Sequence, residues 1–262
     1  MRAVVTANVL DLLAAPDFGS ERLSQLLFGE VVTVEADQAG FSRVVEADGY
    51  TGWADRRFLK PAADGADDGR GRPAMVIKPT VKLYADRSGT PAPPHILFYG
   101  TGLQAMRSQG GWATVEIASR DRYFVRATGI EISGRAQRHA ANGARLVREA
   151  GKFLGVPYLW GGITPAGFDC SGLVRAVYSR FGLYLPRDTK DQIKCGREVA
   201  RTDLQAGDLV FFDRHVGIAV GKELLIHASR GSGGVAVNSL VPGPINYRED
   251  LDKSFVIARR HL

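Results

Sequence analysis

The first half of the chain is written in short alternating runs broken by glycine turns. Val9-Leu10-Asp11-Leu12, Leu27-Phe28-Gly29-Glu30, Gly40-Phe41-Ser42-Arg43-Val44 and Gly52-Trp53-Ala54 follow one another at strand-and-turn spacing. The same succession returns as Val81-Lys82-Leu83-Tyr84, Leu97-Phe98-Tyr99-Gly100, Gly111-Trp112-Ala113-Thr114-Val115 and Tyr123-Phe124-Val125, which marks an internal duplication. Each copy is too short for a large core and suits a small barrel of roughly five or six strands in about 60 residues. Residues 61–73 between them are rich in Gly, Asp, Pro and Ala, lack apolar periodicity and read as a linker.

Past the polar stretch 134–142 the period changes. Leu146, Ala150, Phe153 and Leu154 recur at helical spacing and predict a helix of about three turns. Phe168-Asp169-Cys170-Ser171-Gly172 then leads into Leu173, Val174, Val177, Tyr178 and Phe181, the stripe of a second helix that begins at Cys170. From Leu209 onward the runs LVFF, HVGIAV, LLIHAS and FVIARR are strand-like. Helices followed by an antiparallel sheet make residues 135–262 an α+β domain, preceded by barrels at 1–60 and 74–134.

Composition narrows the class. With 45% hydrophobic and 24% charged residues the chain is ordinary globular protein, not a disordered or collagen-like one. No run approaches the roughly 18–20 apolar residues of a membrane span, and Asn8 and Asp11 interrupt the apolar start, so neither membrane insertion nor a signal peptide is expected. The expected location is the cytoplasm. A net charge of +6 and a pI near 9.4 favour anionic partners, but without a basic helix or an RNA-binding signature a nucleic-acid partner is not expected. The 2 cysteines are too few for a disulfide framework, and no cysteine or histidine cluster has metal-ligand spacing, so no cofactor or metal is expected.

A free thiol at a helix start can do chemistry. Asp169 is placed to cap the helix, and Gly161, Gly162 and Gly167 allow a sharp approach to it. The helix dipole and the unpaired first-turn N–H groups favour thiolate at Cys170, and the same groups could bind an oxyanion. A thiol nucleophile also needs a base and a third group to hold that base. His215 and His227, in the consecutive runs HVGIAV and LLIHAS, supply both. A turn centred on Lys222 pairs residue 217 with 227 and makes the two imidazoles diagonal neighbours on one face, whereas a turn centred on Gly221 sets them directly opposite. Cys195, His95, His139 and His261 sit in contexts that suggest no role.

YLWGG at 158–162, FDCSGLV at 168–174, LPRDT at 185–189, GDLVFF at 207–212, HVGIAV at 215–220 and IHAS at 226–229 resemble, in order, the NlpC family of papain-like cell-wall peptidases. DGYTGW at 48–53 resembles bacterial SH3-like domains. The resemblance implies a papain-like catalytic domain preceded by two SH3-like β-barrels, with Cys170 as nucleophile, His215 as base and His227 orienting it. The whole arrangement is similar to γ-D-glutamyl-L-diamino-acid endopeptidases, which recycle murein peptides bearing a free N-terminal L-Ala. That likeness puts Asp169, Ser171, Asp188 and Thr189 around the substrate, with Thr189 standing where Ser is more usual, and adds Tyr50 as a pocket-closing residue. Trp160, beside the glycine pair before the nucleophile, is read as a pocket wall. Two rival readings are an exported hydrolase of intact wall and a non-enzymatic binder of wall fragments. The absent signal peptide speaks against the first and the complete Cys/His/His set against the second.

Overall fold

A computed structural model describes residues 1–64, 71–132 and 141–262, and the chain divides into two compact units, Met1–Gly134 and Arg135–Leu262. The first unit holds two seven-stranded antiparallel sheets. The first sheet comprises β1 (Arg2–Val5), β2 (Val9–Leu13), β3 (Arg22–Leu27), β4 (Val31–Gln38), β5 (Phe41–Val45), β6 (Thr51–Asp55) and β7 (Leu59–Pro61). The second comprises β8 (Arg72–Val76), β9 (Thr80–Tyr84), β10 (Pro91–Phe98), β11 (Gly102–Gln109), β12 (Trp112–Glu116), β13 (Arg122–Arg126) and β14 (Ile130–Ile132).

The strand orders, β3-β2-β6-β5-β4-β1-β7 and β10-β9-β13-β12-β11-β8-β14, are the same order shifted by one copy. Even the irregularities recur: the register slips between Val34 and Ala36 in β4, and between Ala105 and Arg107 in β11. The duplication read from the alternating runs is therefore a duplication of topology. Each copy has more strands than the five or six expected, because a three-residue strand follows the 3-10 turns at Arg56–Phe58 and Ala127–Gly129 and returns to pair with the first strand. Such a strand is too short to show a period. The linker segment contributes to pairing at both ends, with Pro61 closing β7 and Arg72 and Pro73 opening β8; residues 65–70 lie outside the described residues. Val4 and Phe28 of the first barrel belong to the apolar cluster of the second, and Lys60 Nζ meets Asp121 at 2.7 Å. His95, read as linker-like, lies within β10 at a break in register, with φ of 72°. His139 lies outside the described residues.

The second unit opens with helix α1 (Gly143–Gly151), capped by Asn142 through the N–H of Arg145. Leu146, Ala150 and Phe153 are buried, but Leu154 is exposed because the helix has ended at Gly151. A two-stranded hairpin, β15 (Ile163–Thr164) and β16 (Gly167–Phe168), delivers the chain to α2 (Cys170–Ser179). Next come α3 (Thr189–Gln192) and a six-stranded antiparallel sheet interrupted late by α4 (Glu249–Lys253). Its strands are β17 (Arg197–Val199), β18 (Leu209–Phe212), β19 (His215–Ala219), β20 (Leu224–Ser229), β21 (Gly234–Ser239) and β22 (Phe255–Arg260), in the order β17-β22-β18-β19-β20-β21. All four residues of β18 are buried, which explains an unbroken apolar run where a half-exposed strand would alternate.

Helix α2 packs on β19 and β20. Its stripe of Leu173, Val174, Val177 and Tyr178 is buried, each side chain stabilising the packing by about 1.5–3 kcal/mol. The Tyr178 hydroxyl donates to the Gly207 carbonyl at 2.5 Å, so this buried phenol is satisfied and the helix is tied to the segment before β18. Cys170 thereby stands against the start of β19.

Candidate active site

Asp169 organises the turn that carries the thiol. Its Oδ1 accepts the N–H of Gly172 at 2.7 Å, capping α2, while its Oδ2 accepts the N–H of Gly161 at 2.9 Å. Close approach dictates the glycine at 172: a Cβ there would lie 2.1 Å from the Gly162 carbonyl oxygen. Gly161 itself has φ of 73°, in the left-handed region that glycine enters without strain.

The side chains of Asp169 and Ser171, which the resemblance puts around the substrate, are both hydrogen-bonded within the fold. Arg187, only 2% exposed, donates to Asp169 Oδ2 at 2.5 Å, to Oδ1 at 3.2 Å and to Ser171 Oγ at 2.8 Å. Ser171 Oγ in turn donates to Asp169 Oδ1 at 3.2 Å. The carboxylate is thus saturated by donors from the turn, the helix and the 185–189 block. Gln192 adds a second tie, with Nε2 donating to the carbonyls of Ser171 at 3.1 Å and Pro186 at 2.9 Å. Neither Arg187 nor Gln192 was singled out from sequence, and only the arginine in LPRDT carried a signal, as a cation in an otherwise apolar and turn-forming block.

Thr189 Oγ1 lies 3.7 Å from Cys170 Sγ. Asp188 sits at the N-cap of α3, with its carboxylate 3.6 Å from Lys190 Nζ. Trp160 is 56% exposed, next to the Gly161 amide that Asp169 holds. Tyr50 belongs to the first unit, where its ring packs partly buried against the apolar core of the first barrel.

The histidines follow the Lys222-centred register. Ile218 pairs with Ile226 and Ala219 with Leu225, which continues to put residue 217 beside His227. His215 is the diagonal neighbour, and its Nε2 lies 2.7 Å from His227 Nδ1. His227 is wholly buried, and its Nε2 lies 2.9 Å from Asn238 Oδ1 on β21. This asparagine was missed at the sequence level, although the alternation of VAVNS marks it: Ala236 pairs with His227, so Asn238 is the next residue on that face.

Burial sets the protonation states. It pushes the His215 pKa down to about 3, helped by the neighbouring His227 and by the Arg248 cation, and it lowers that of His227 too, against the hydrogen bond that His227 donates to Asn238. Both rings are neutral at pH 7. Burial also raises the Cys170 thiol, and the Asp169 carboxylate adds to the effect. The hydrogen bonds from the Thr189 hydroxyl and the Val216 and Ser171 N–H groups act in the direction expected of a helix start, but they are outweighed. At Cys170 burial therefore works against the helix start, and the balance lies toward the protonated thiol. Burial chiefly pushes the Tyr158 phenol up to about 12, so it keeps its proton at neutral pH.

Cys195 is half-buried, its Sγ 3.5 Å from the Asp191 carbonyl oxygen. His261 packs edge-on against Tyr178 with centroids 5.7 Å apart, so this near-terminal residue is part of the packing rather than of the site. Among the described residues no cluster of His, Cys, Asp and Glu could hold a metal, and no helix is long and apolar enough to cross a membrane.

The sequence profile of the NlpC/P60 family matches residues 155–249, and that of the bacterial SH3 domain matches residues 8–60. The chain is 30% identical over 236 residues to a gamma-D-glutamyl-L-lysine dipeptidyl-peptidase of Bacillus subtilis (strain 168), spanning 83% of this chain and 75% of that one. It is 29% identical over 264 residues, 96% of both chains, to dipeptidyl-peptidase 6 of Lysinibacillus sphaericus. A solved NlpC/P60 family protein from Bacillus cereus shares the fold, with a TM-score of 0.84 and 24% identity over 99% of each chain.

Proposed function

The chain belongs to the NlpC/P60 family and is a cysteine peptidase of murein peptides, and from that premise we propose that it cuts the bond between γ-D-Glu and an L-diamino acid in peptides with a free N-terminal L-Ala. The names of its relatives support the bond. The observation that carries the chemistry is the hydrogen-bonded pair of histidines on β19 and β20, the two strands against which the helix that begins at Cys170 packs. In the proposed reaction His215 takes the Cys170 proton as sulfur attacks the scissile carbonyl. The unpaired N–H groups at the start of the helix are the proposed donors to the developing oxyanion. Protonated His215 then gives its proton to the leaving α-amine, leaving a thioester that water hydrolyses with His215 again as base. Thr189, Asp188 and Trp160 are proposed to meet the substrate, while Asp169, Ser171 and Arg187 hold the turn.

We place the activity on released peptides rather than on the wall polymer, in cytoplasmic peptide recycling. Incubation with L-Ala-γ-D-Glu-meso-diaminopimelate and with intact sacculi tests this. The tripeptide should give free diaminopimelate and the sacculi little soluble product. Rapid solubilisation of sacculi with the tripeptide untouched would refute it. Cys170→Ala and His215→Ala should each abolish turnover, since the two act as a unit.

A further inference from the structure

Three strands carry one diagonal line of polar side chains. His227 on β20 lies between His215 on β19 and Asn238 on β21, each a diagonal step away across the sheet. We propose that Asn238 is a positioning residue that fixes the tautomers of both histidines and so leaves Nδ1 of His215 bare for the Cys170 proton. The inference rests on His215 being the base.

The orientation of the Asn238 amide is set by its own partners. Its Nδ2 donates to the Asn246 carbonyl at 2.8 Å, so Oδ1 is the atom that faces His227. Oδ1 also takes the hydroxyl of Ser232 at 3.0 Å, and that hydroxyl accepts from Arg248 Nη1 at 3.1 Å, which leaves its own hydrogen for Asn238. Turning the amide over would set its oxygen against a carbonyl and its NH2 against the His227 N–H. With Oδ1 as an obligate acceptor, His227 carries its hydrogen on Nε2, and being neutral it has a lone pair on Nδ1. The 2.7 Å contact then requires His215 to donate from Nε2, which leaves Nδ1 unprotonated. When Nδ1 takes the thiol proton, the two N–H groups in series already point away from the new charge, and their dipoles stabilise it without rearrangement. Arg248 is itself paired with Asp250, at 2.6 Å, so the line ends on an ion pair rather than on a lone cation.

Without Asn238, His227 can carry its hydrogen on Nδ1 instead and donate it to His215, which then holds its own hydrogen on Nδ1 and is no longer a base. Asn238→Leu, close in volume, removes the acceptor, and Asn238→Asp retains it toward His227 while losing the donor to the Asn246 carbonyl. Ring-nitrogen NMR of 15N-histidine-labelled full-length enzyme reads the tautomers directly, without substrate. In the wild type, Nδ1 of both His215 and His227 should give the signal of an unprotonated nitrogen and Nε2 that of a protonated one. Asn238→Leu should mix or invert this pattern and lower kcat by about 10- to 100-fold with KM little changed, the size of loss seen when the outer partner of a metal-bound histidine is removed. Asn238→Asp should restore the wild-type tautomers and most of kcat. Wild-type spectra with hydrogen on His215 Nδ1 would overturn the proposal even if no variant folded, and so would an Asn238→Leu enzyme with unchanged tautomers. Should the enzyme prove inactive on murein peptides, the nitrogen spectra would still decide the role of Asn238.

Discussion

Replacing Arg187 with Met tests how the nucleophile turn is held. The guanidinium is 1% exposed and meets Asp169, Ser171 and no bulk water, so its loss leaves the Asp169 carboxylate inside the protein without a counter-charge. Breaking a buried pair from one side costs about 3–5 kcal/mol, more than a surface pair contributes by several-fold. Three donors remain to Asp169, the N–H groups of Gly161 and Gly172 and the Ser171 hydroxyl, which argues for the lower end of that range. Arg187→Lys keeps the charge but cannot span both carboxylate oxygens and Ser171 together, and losing one or two hydrogen bonds at about 1 kcal/mol each gives a milder defect. Hydrogen exchange of the segments around 157–174 and 185–192, with kcat/KM on the tripeptide, measures both variants. The expected order of protection and of activity is wild type, then Arg187→Lys, then Arg187→Met. Arg187→Met with unchanged exchange and unchanged kcat/KM would show that the pair neither stabilises nor positions the turn.

Since His215 titrates near 3 and the thiol above its usual value, kcat/KM should stay flat through the ordinary imidazole range around pH 6.5; an inflection there would refute the assigned states. Stability should move differently: below about pH 6.5 the unfolded chain binds protons that buried His215 and His227 refuse, so the fold loses up to about 1.4 kcal/mol per pH unit for each, measured by urea unfolding across pH. Cys195→Ser should keep near-wild-type rates, and a loss beyond about tenfold, roughly 1.4 kcal/mol in the barrier, would give that thiol a role. N-acetylating L-Ala-γ-D-Glu-L-Lys should sharply reduce kcat/KM if the enzyme releases an N-terminal dipeptide; equal rates on both forms would exclude that specificity.

Local signals made much of this molecule legible. Cys170 at a helix start, Asp169 as its cap and the meeting of His215 with His227 all follow from period and turn geometry within a few residues of each other. The barrels were legible as a repeat, since alternation survives duplication, but β7 and β14 were not, because three residues cannot display a period. Arg187 and Gln192 escaped for a different reason. Their partners lie 18 and 21 residues away, and nothing in hydrophobic spacing says which buried carboxylate or carbonyl a polar side chain will find. The burial of the thiol was not legible, because a dipole argument counts donors, whereas depth of burial is decided by the surrounding fold. Asn238 lay within reach of the hairpin reasoning that paired the two histidines, one strand further on.

The central claim is that Cys170 becomes acylated by the dipeptide. Rapid acid quench of enzyme with L-Ala-γ-D-Glu-L-Lys, followed by proteolysis and mass spectrometry, reads it directly. The account predicts an L-Ala-γ-D-Glu acyl group on the peptide containing Cys170 in the wild type, with none in His215→Ala. Turnover of the tripeptide with Cys170 unmodified at every quench time, or the acyl group on Cys195, would contradict it.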